Sequence, residues 1–145
     1  MKAVIQRVNS AQVFVDRKLV GKIDRGLFVL LGIGTTDDEK KAQALAKQIA
    51  SLRIMADENG KMNLDIANTT KQVLVVSQFT LYGDTSKGNR PSFVKAENPQ
   101  RAVYLYDYFV KSLSELNLKV ATGKFGKFMN IKVELDGPVT ITLVK

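Results

Sequence analysis

The run Leu27-Phe28-Val29-Leu30-Leu31, bounded by Gly26 and Gly32, is apolar at every position. A strand with one wet face alternates, so an unbroken apolar run predicts a central strand covered on both sides. The residues before it supply neighbours. In the opening segment Ala3, Ile5 and Arg7 fall on one side and Val4, Gln6 and Val8 on the other, which reads as a strand punctuated by Asn9-Ser10. Ala11, Val13 and Val15 then alternate with Gln12 and Phe14 up to a turn at Asp16-Arg17-Lys18, and a short strand follows from Leu19 to Ile23.

Downstream come two amphipathic helices. Thr36 with Glu39 three residues later predicts a capping box, followed by a stripe of Ala42, Leu45, Ala46, Ile49 and Leu52. Asn98 as N-cap and Pro99 at the first helical position open the second, whose stripe is Ala102, Leu105, Tyr106, Phe109, Leu113 and Leu116, ending near Asn117. Between them lie Arg53 to Met55, a turn at Asp57-Glu58-Asn59-Gly60 and the apolar run Val73 to Val76. At the C-terminal side Met129, Ile131, Val133 and Leu135 alternate with polar residues as an inward series, Asp136-Gly137-Pro138 interrupts, and Val139 to Val144 forms a last strand. The expected fold is α+β. One domain spans residues 1–145, with a mostly antiparallel, barrel-like or two-sheet β core and two amphipathic helices packed on it.

The 145 residues include no cysteine and no histidine. That excludes disulfides, thiolate nucleophiles, Cys-based metal sites and any imidazole base, so Ser-His-Asp and Cys-His constellations cannot be built. No metal ligand set and no cofactor site is read from the sequence. With 22 Lys plus Arg against 14 Asp plus Glu the net charge is +8, which suggests a polyanionic partner. Lys87, Arg90, Lys95, Arg101, Lys124 and Lys127 fall in or beside two loop-like stretches, 83–98 and 122–127. The longest apolar stretch, Gly26 to Gly34, is far short of the roughly 20 residues a membrane helix needs, and no targeting pattern opens the chain. The expectation is a cytoplasmic protein without membrane association.

Several local motifs weigh little. Gly32-Ile33-Gly34 stands where a dinucleotide fingerprint would, but the third glycine is missing and Asp37, Asp38 and Glu39 would repel a phosphate. Asp57-Glu58-Asn59-Gly60 faintly resembles a calcium loop, yet Lys61 stands where the next oxygen ligand belongs. More informative is Ser77-Gln78-Phe79-Thr80-Leu81-Tyr82, polar and aromatic residues at the end of a buried strand, where sites commonly form. Asp136-Gly137-Pro138 is the sharpest feature. Proline removes a ladder donor and glycine permits unusual backbone angles, so the carbonyls there point away from a hairpin, and a cis peptide bond suits such a turn.

Taken in order and spacing, Ala3-Val4-Ile5-Gln6-Arg7-Val8, Gly60-Lys61-Met62-Asn63, Ser77-Gln78-Phe79-Thr80-Leu81, Arg90-Pro91-Ser92-Phe93, Tyr106-Asp107-Tyr108-Phe109, Thr122-Gly123 and Gly137-Pro138-Val139-Thr140 resemble the D-aminoacyl-tRNA deacylase family. The resemblance covers essentially the whole chain. It implies an enzyme that hydrolyses the ester joining a D-amino acid, or glycine mischarged on tRNA-Ala, to the terminal adenosine of tRNA. It also implies a homodimer in translation quality control, in which Gly137-Pro138, cis, enters the partner's site and rejects L substrates by clash. By the same resemblance Ser77, Gln78 and Phe79 line the opposite wall, with main-chain N–H groups for the oxyanion. Thr140 is the hydroxyl candidate, more a wall residue than a nucleophile because no base adjoins it. Arg7 braces the Gly-Pro turn and Met129 lines the pocket. The terminal 2′-hydroxyl of the RNA is expected to assist the attack.

One position departs from the family pattern. Leu135 stands where the family commonly has Asn two residues before the glycine, which puts in question a side-chain hydrogen bond ordering the turn. Two other classes remain. A non-catalytic RNA-binding module would need stacking aromatics interleaved with Lys and Arg on a sheet face, which the sequence does not show, and a small-molecule esterase would need a base that this chain lacks.

Overall fold

The computed structural model describes residues 1–145. Strands β1 (Lys2–Val15), β2 (Lys18–Ile23) and β3 (Gly26–Gly32) precede helix α1 (Glu39–Ala50). A small ribbon, β4 (Met55–Ala56) with β5 (Met62–Leu64), leads to β6 (Gln72–Ser77) and a short 3-10 helix, Phe79–Tyr82. Helix α2 (Pro99–Glu115), β7 (Lys119–Thr122) and β8 (Asn130–Val144) complete the chain.

The main sheet runs β2-β1-β3-β6-β7, with β8 paired to the other side of β1. β1 is antiparallel to β2, β3 and β8, whereas β3–β6 and β6–β7 are parallel. The sheet curls until β2 meets β7. There a Cβ at Gly21 would run into the Thr122 carbonyl oxygen, so only glycine lets the barrel draw nearly closed. This is the expected α+β architecture.

Both faces of the central strands are covered, as their unbroken apolar runs require. Leu27, Val29, Leu31, Val73 and Val75 point outward into the cluster under α1 and α2. Phe28, Leu74 and Val76 point into the barrel with Val8, Ala11, Val13 and Ile23. Both helices bury their predicted stripes; Leu52 lies just past the end of α1 and Leu116 is the C-cap of α2. No helix is long and apolar enough to cross a membrane.

Four expectations change. β1 continues through Asn9-Ser10 as one strand, and pairing with β8 shifts register between Val8 and Ser10. That slip exchanges the faces: Ala3 and Ile5 lie under the helices, but Val8, Ala11 and Val13 lie inside the barrel. Likewise β8 is a single strand, so Asp136-Gly137-Pro138 is a bulge rather than a hairpin. Gln6 pairs Thr140 and Val8 pairs Leu135, which crowds residues 136–139 opposite Arg7 alone. Leu135, at the edge of that bulge, is 45% exposed and leaves the inward series. The N-cap of α1 is Asp38, not Thr36; its side chain accepts from Lys41 N at 2.8 Å. Asp37 is drawn inward instead, where it accepts from the Met1 ammonium at 2.5 Å and from Gly34 N at 2.7 Å.

Candidate functional site

Ser77 is the last residue of β6 because its partner Leu31 is nearly the last of β3. The Gln78 N–H still donates to Leu31 O at 2.8 Å, and the chain then breaks into the 3-10 helix. That exit leaves the Phe79 ring 57% exposed rather than in the core. Neither the Phe79 nor the Thr80 N–H has a carbonyl partner inside so short a helix, whereas the Gln78 amide is committed to the sheet. The Gln78 side-chain amide donates to the Thr80 hydroxyl.

Phe79 is held from the loop 83–98. Its ring meets Phe93 edge to face at 5.0 Å between centroids. Asp84 and Ser92 close this loop with reciprocal main-chain bonds of 2.9 Å. The Asp84 carboxylate accepts from Ser86 N at 3.0 Å and Lys95 Nζ at 3.1 Å, and these partners, Ser86 first, hold its pKa well below the usual carboxylate range. Lys95 O and the Glu97 N–H tie the loop back beside β3.

The opposite wall comes from the turn between β7 and β8. Met129 folds back so that its sulfur accepts from Lys124 N at 3.4 Å. Phe125 packs on Tyr106 of α2, whose hydroxyl donates to Val75 O at 2.8 Å; burial pushes the Tyr106 phenol pKa up and keeps that donor protonated.

Between these walls lies a cavity of about 920 Å³, lined by Ser77, Gln78, Phe79, Phe93, Phe125 and Met129, with Lys127 and Phe128 also bordering it. Glu97 contributes a carboxylate that is only 8% exposed, held by the Asn98 N–H and amide at 2.7 Å each and by Arg101 Nε at 3.3 Å. The lining is mostly apolar, with Glu97 and Lys127 its only charged residues. A cavity of this size and lining suits a flat apolar group, and the segment whose Phe79 and Thr80 N–H groups lack partners forms one of its walls.

The structure therefore brings together Ser77, Gln78, Phe79 and Met129. Arg7, Gly137, Pro138 and Thr140 form a second group outside that cavity. Arg7 is buried, donates to Ile54 O at 2.9 Å and from Nη2 to Asp136 Oδ1 at 3.3 Å. Its Nε stands 2.9 Å from Asp136 Oδ2, an ion pair by distance with no hydrogen-bond geometry at that nitrogen. Gly137, joined to Pro138 by a cis peptide bond, has φ +124°, a conformation closed to most L residues. Thr140 pairs with Gln6, whose side chain donates to its hydroxyl at 3.4 Å.

Phe93, Phe125 and Phe128 were not among the residues expected at the site. For Phe125 and Phe128 the signal was the alternation Lys124-Phe125-Gly126-Lys127-Phe128, the basic and aromatic interleaving expected of a sheet face but placed here in a turn.

The D-Tyr-tRNA(Tyr) deacylase family model matches residues 4–144. A D-aminoacyl-tRNA deacylase of Thermosipho melanesiensis is 51% identical over 99% of this chain and 96% of its own. One from Desulfatibacillum aliphaticivorans is 52% identical over 97% of each. A solved structure named c-Myc DNA Unwinding Element Binding Protein is similar with a TM-score of 0.93 at 38% identity, covering 100% of this chain and 99% of that one. With a family match from residue 4 to residue 144 and half the residues shared with full-length relatives, the chain belongs to the D-Tyr-tRNA(Tyr) deacylase family of hydrolases.

Proposed function

We propose that this protein hydrolyses the ester between a D-amino acid and the 3′-terminal adenosine of tRNA, releasing both, and removes glycine mischarged on tRNA-Ala in the same way. The observation that carries the reading is the cavity itself: apolar, large enough for a nucleoside with its amino acid, and closed at one end by Ser77-Gln78-Phe79 beside unpaired main-chain amides. Water attacks the ester carbonyl, the carbon–oxygen bond to the ribose breaks, and the ribose oxygen takes the proton. With no imidazole in the chain, the neighbouring 2′-hydroxyl is the group that assists. The Phe79 N–H, aided by Thr80, holds the developing oxyanion, an interaction typically worth about 3 kcal/mol per donor. Gln78 acts through its side chain, since its N–H is already engaged.

Chiral selection is assigned to Gly137-Pro138. Both residues are exposed and stand outside their own cavity, which supports a homodimer in which each bulge reaches the partner's site. Their carbonyls face the substrate α-amino group, leaving an L side chain no space. Arg7 braces the bulge through Asp136, and Thr140 and Met129 serve as walls.

The test is incubation with D-tyrosyl-tRNA and L-tyrosyl-tRNA. The D ester should be lost and the L ester kept, and Gly137→Val should erase that difference. Equal survival of both esters with the wild-type protein overturns the proposal. Binding of the RNA without loss of either ester would instead favour a non-catalytic RNA-binding module, the reading that the Lys-Phe alternation supports.

A further inference from the structure

We propose that the turn 124–128 is a second nucleotide site, in which Phe128 stacks on the penultimate base of the RNA 3′ end and Lys124 and Lys127 meet its phosphates. The inference rests on placing the terminal nucleoside in the cavity, and concerns what the strand does on leaving it.

An apolar cavity accepts a nucleoside but not the phosphodiester attached to it, because an unpaired buried charge is strongly unfavourable. The backbone therefore leaves at its first phosphate, through a mouth bordered by Lys127 and Phe128. Neither Lys124 nor Lys127 has an acidic partner; all ion pairs of the molecule lie elsewhere. From Lys119 to Val133 the chain carries Lys119, Lys124, Lys127 and Lys132 and no acidic residue. This stretch is complementary to a polyanion.

Phe128 supplies the stacking surface. Its ring is 85% exposed, more than Phe79 at 57% or Phe93 at 37%, although Phe125 and Met129 on either side of it turn toward the cavity. Gly126 at φ +70°, with open space where a Cβ would stand, makes the turn and leaves its surface free for a strand. An exposed ring flanked by unpaired lysines is the arrangement that holds single-stranded nucleic acid without reading its sequence.

The test uses a short single-stranded RNA ending in CCA, uncharged with amino acid, and measures affinity by fluorescence anisotropy at fixed salt. Replacing the penultimate base by an abasic residue should weaken binding to the wild-type protein about 5- to 150-fold. In Phe128→Leu the same replacement should change nothing, and Phe128→Tyr should restore the difference. Lys127→Ala should reduce the slope of log affinity against log salt by about 0.7. No effect of the abasic residue on the wild type, or an equal effect in Phe128→Leu, overturns the site. So does a Phe128→Leu variant that sediments as a smaller species while binding RNA unchanged, since Phe128 would then be covered by a second copy of the chain. No ester is present, so this outcome is independent of the hydrolysis experiment.

Discussion

Asp84 shows how one exposed carboxylate shapes a wall of the site. It lies about 40 residues from the turn that carries Phe125, yet its bonds to Ser86 and Lys95 keep the loop that presents Phe93 to Phe79. Because those partners favour the charged form, its folded pKa lies below the ordinary aspartate value of 3.8. The contribution to loop order is therefore complete above that value and is lost as pH falls through the lower folded one. Carboxyl NMR titration should find Asp84 below 3.8, and Lys95→Ala should move it back upward. An ordinary value in the wild type would remove Ser86 and Lys95 as its partners. Nothing in the sequence singled Asp84 out, since its partners lie two and eleven residues away in an irregular loop.

Elements were legible where their signals are local. Asn98-Pro99 announces the start of α2, and the structure places the Asn98 side chain as acceptor from Arg101 N at 3.0 Å. Asn98→Ala should lower stability by about 1 kcal/mol in urea unfolding, with no change expected if the cap were idle. The start of α1 was misread because Asp37, one of three consecutive acids, is spoken for by distant groups, and Asp38 caps in its stead. β8 failed for the opposite reason. Gly137-Pro138 carries every local sign of a turn, but β1 offers ladder partners on both sides of it, and long-range pairing overrides the local signal. Leu135 is exposed as a direct result. β7 was not anticipated at all: it is four residues long and half-buried, and only its parallel pairing with β6 makes it a strand.

At the scale of the molecule, the walls of the cavity come from β6, the loop before α2 and the turn before β8, brought together by the curl of the sheet. Ser77, Gln78, Phe79 and Met129 were read through resemblance, whereas Phe93, Phe125 and Phe128 acquire meaning only once those segments meet. The same architecture leaves the outer edge of β8 without a strand partner over its 15 residues. Unprotected edges of that length favour association, so sedimentation should find two copies per particle. A monomer at micromolar concentration would contradict the exchange of Gly137-Pro138 between subunits.

The ladder between β1 and β8 also imposes a timetable. Lys2 pairs with Val144 and Phe14 with Asn130, so β1 waits for β8, more than 100 residues behind it on the ribosome. Loop-closure entropy grows only as about (3/2)RT ln n, and the finished molecule loses little stability by joining such distant segments. The rate suffers more, since pairing at long separation slows folding. Until β8 emerges, Val8, Ala11 and Val13 lack Ile131 and Val133 above them. A nascent chain paused before residue 130 therefore carries β1 with one edge unpaired and that part of the barrel interior uncovered.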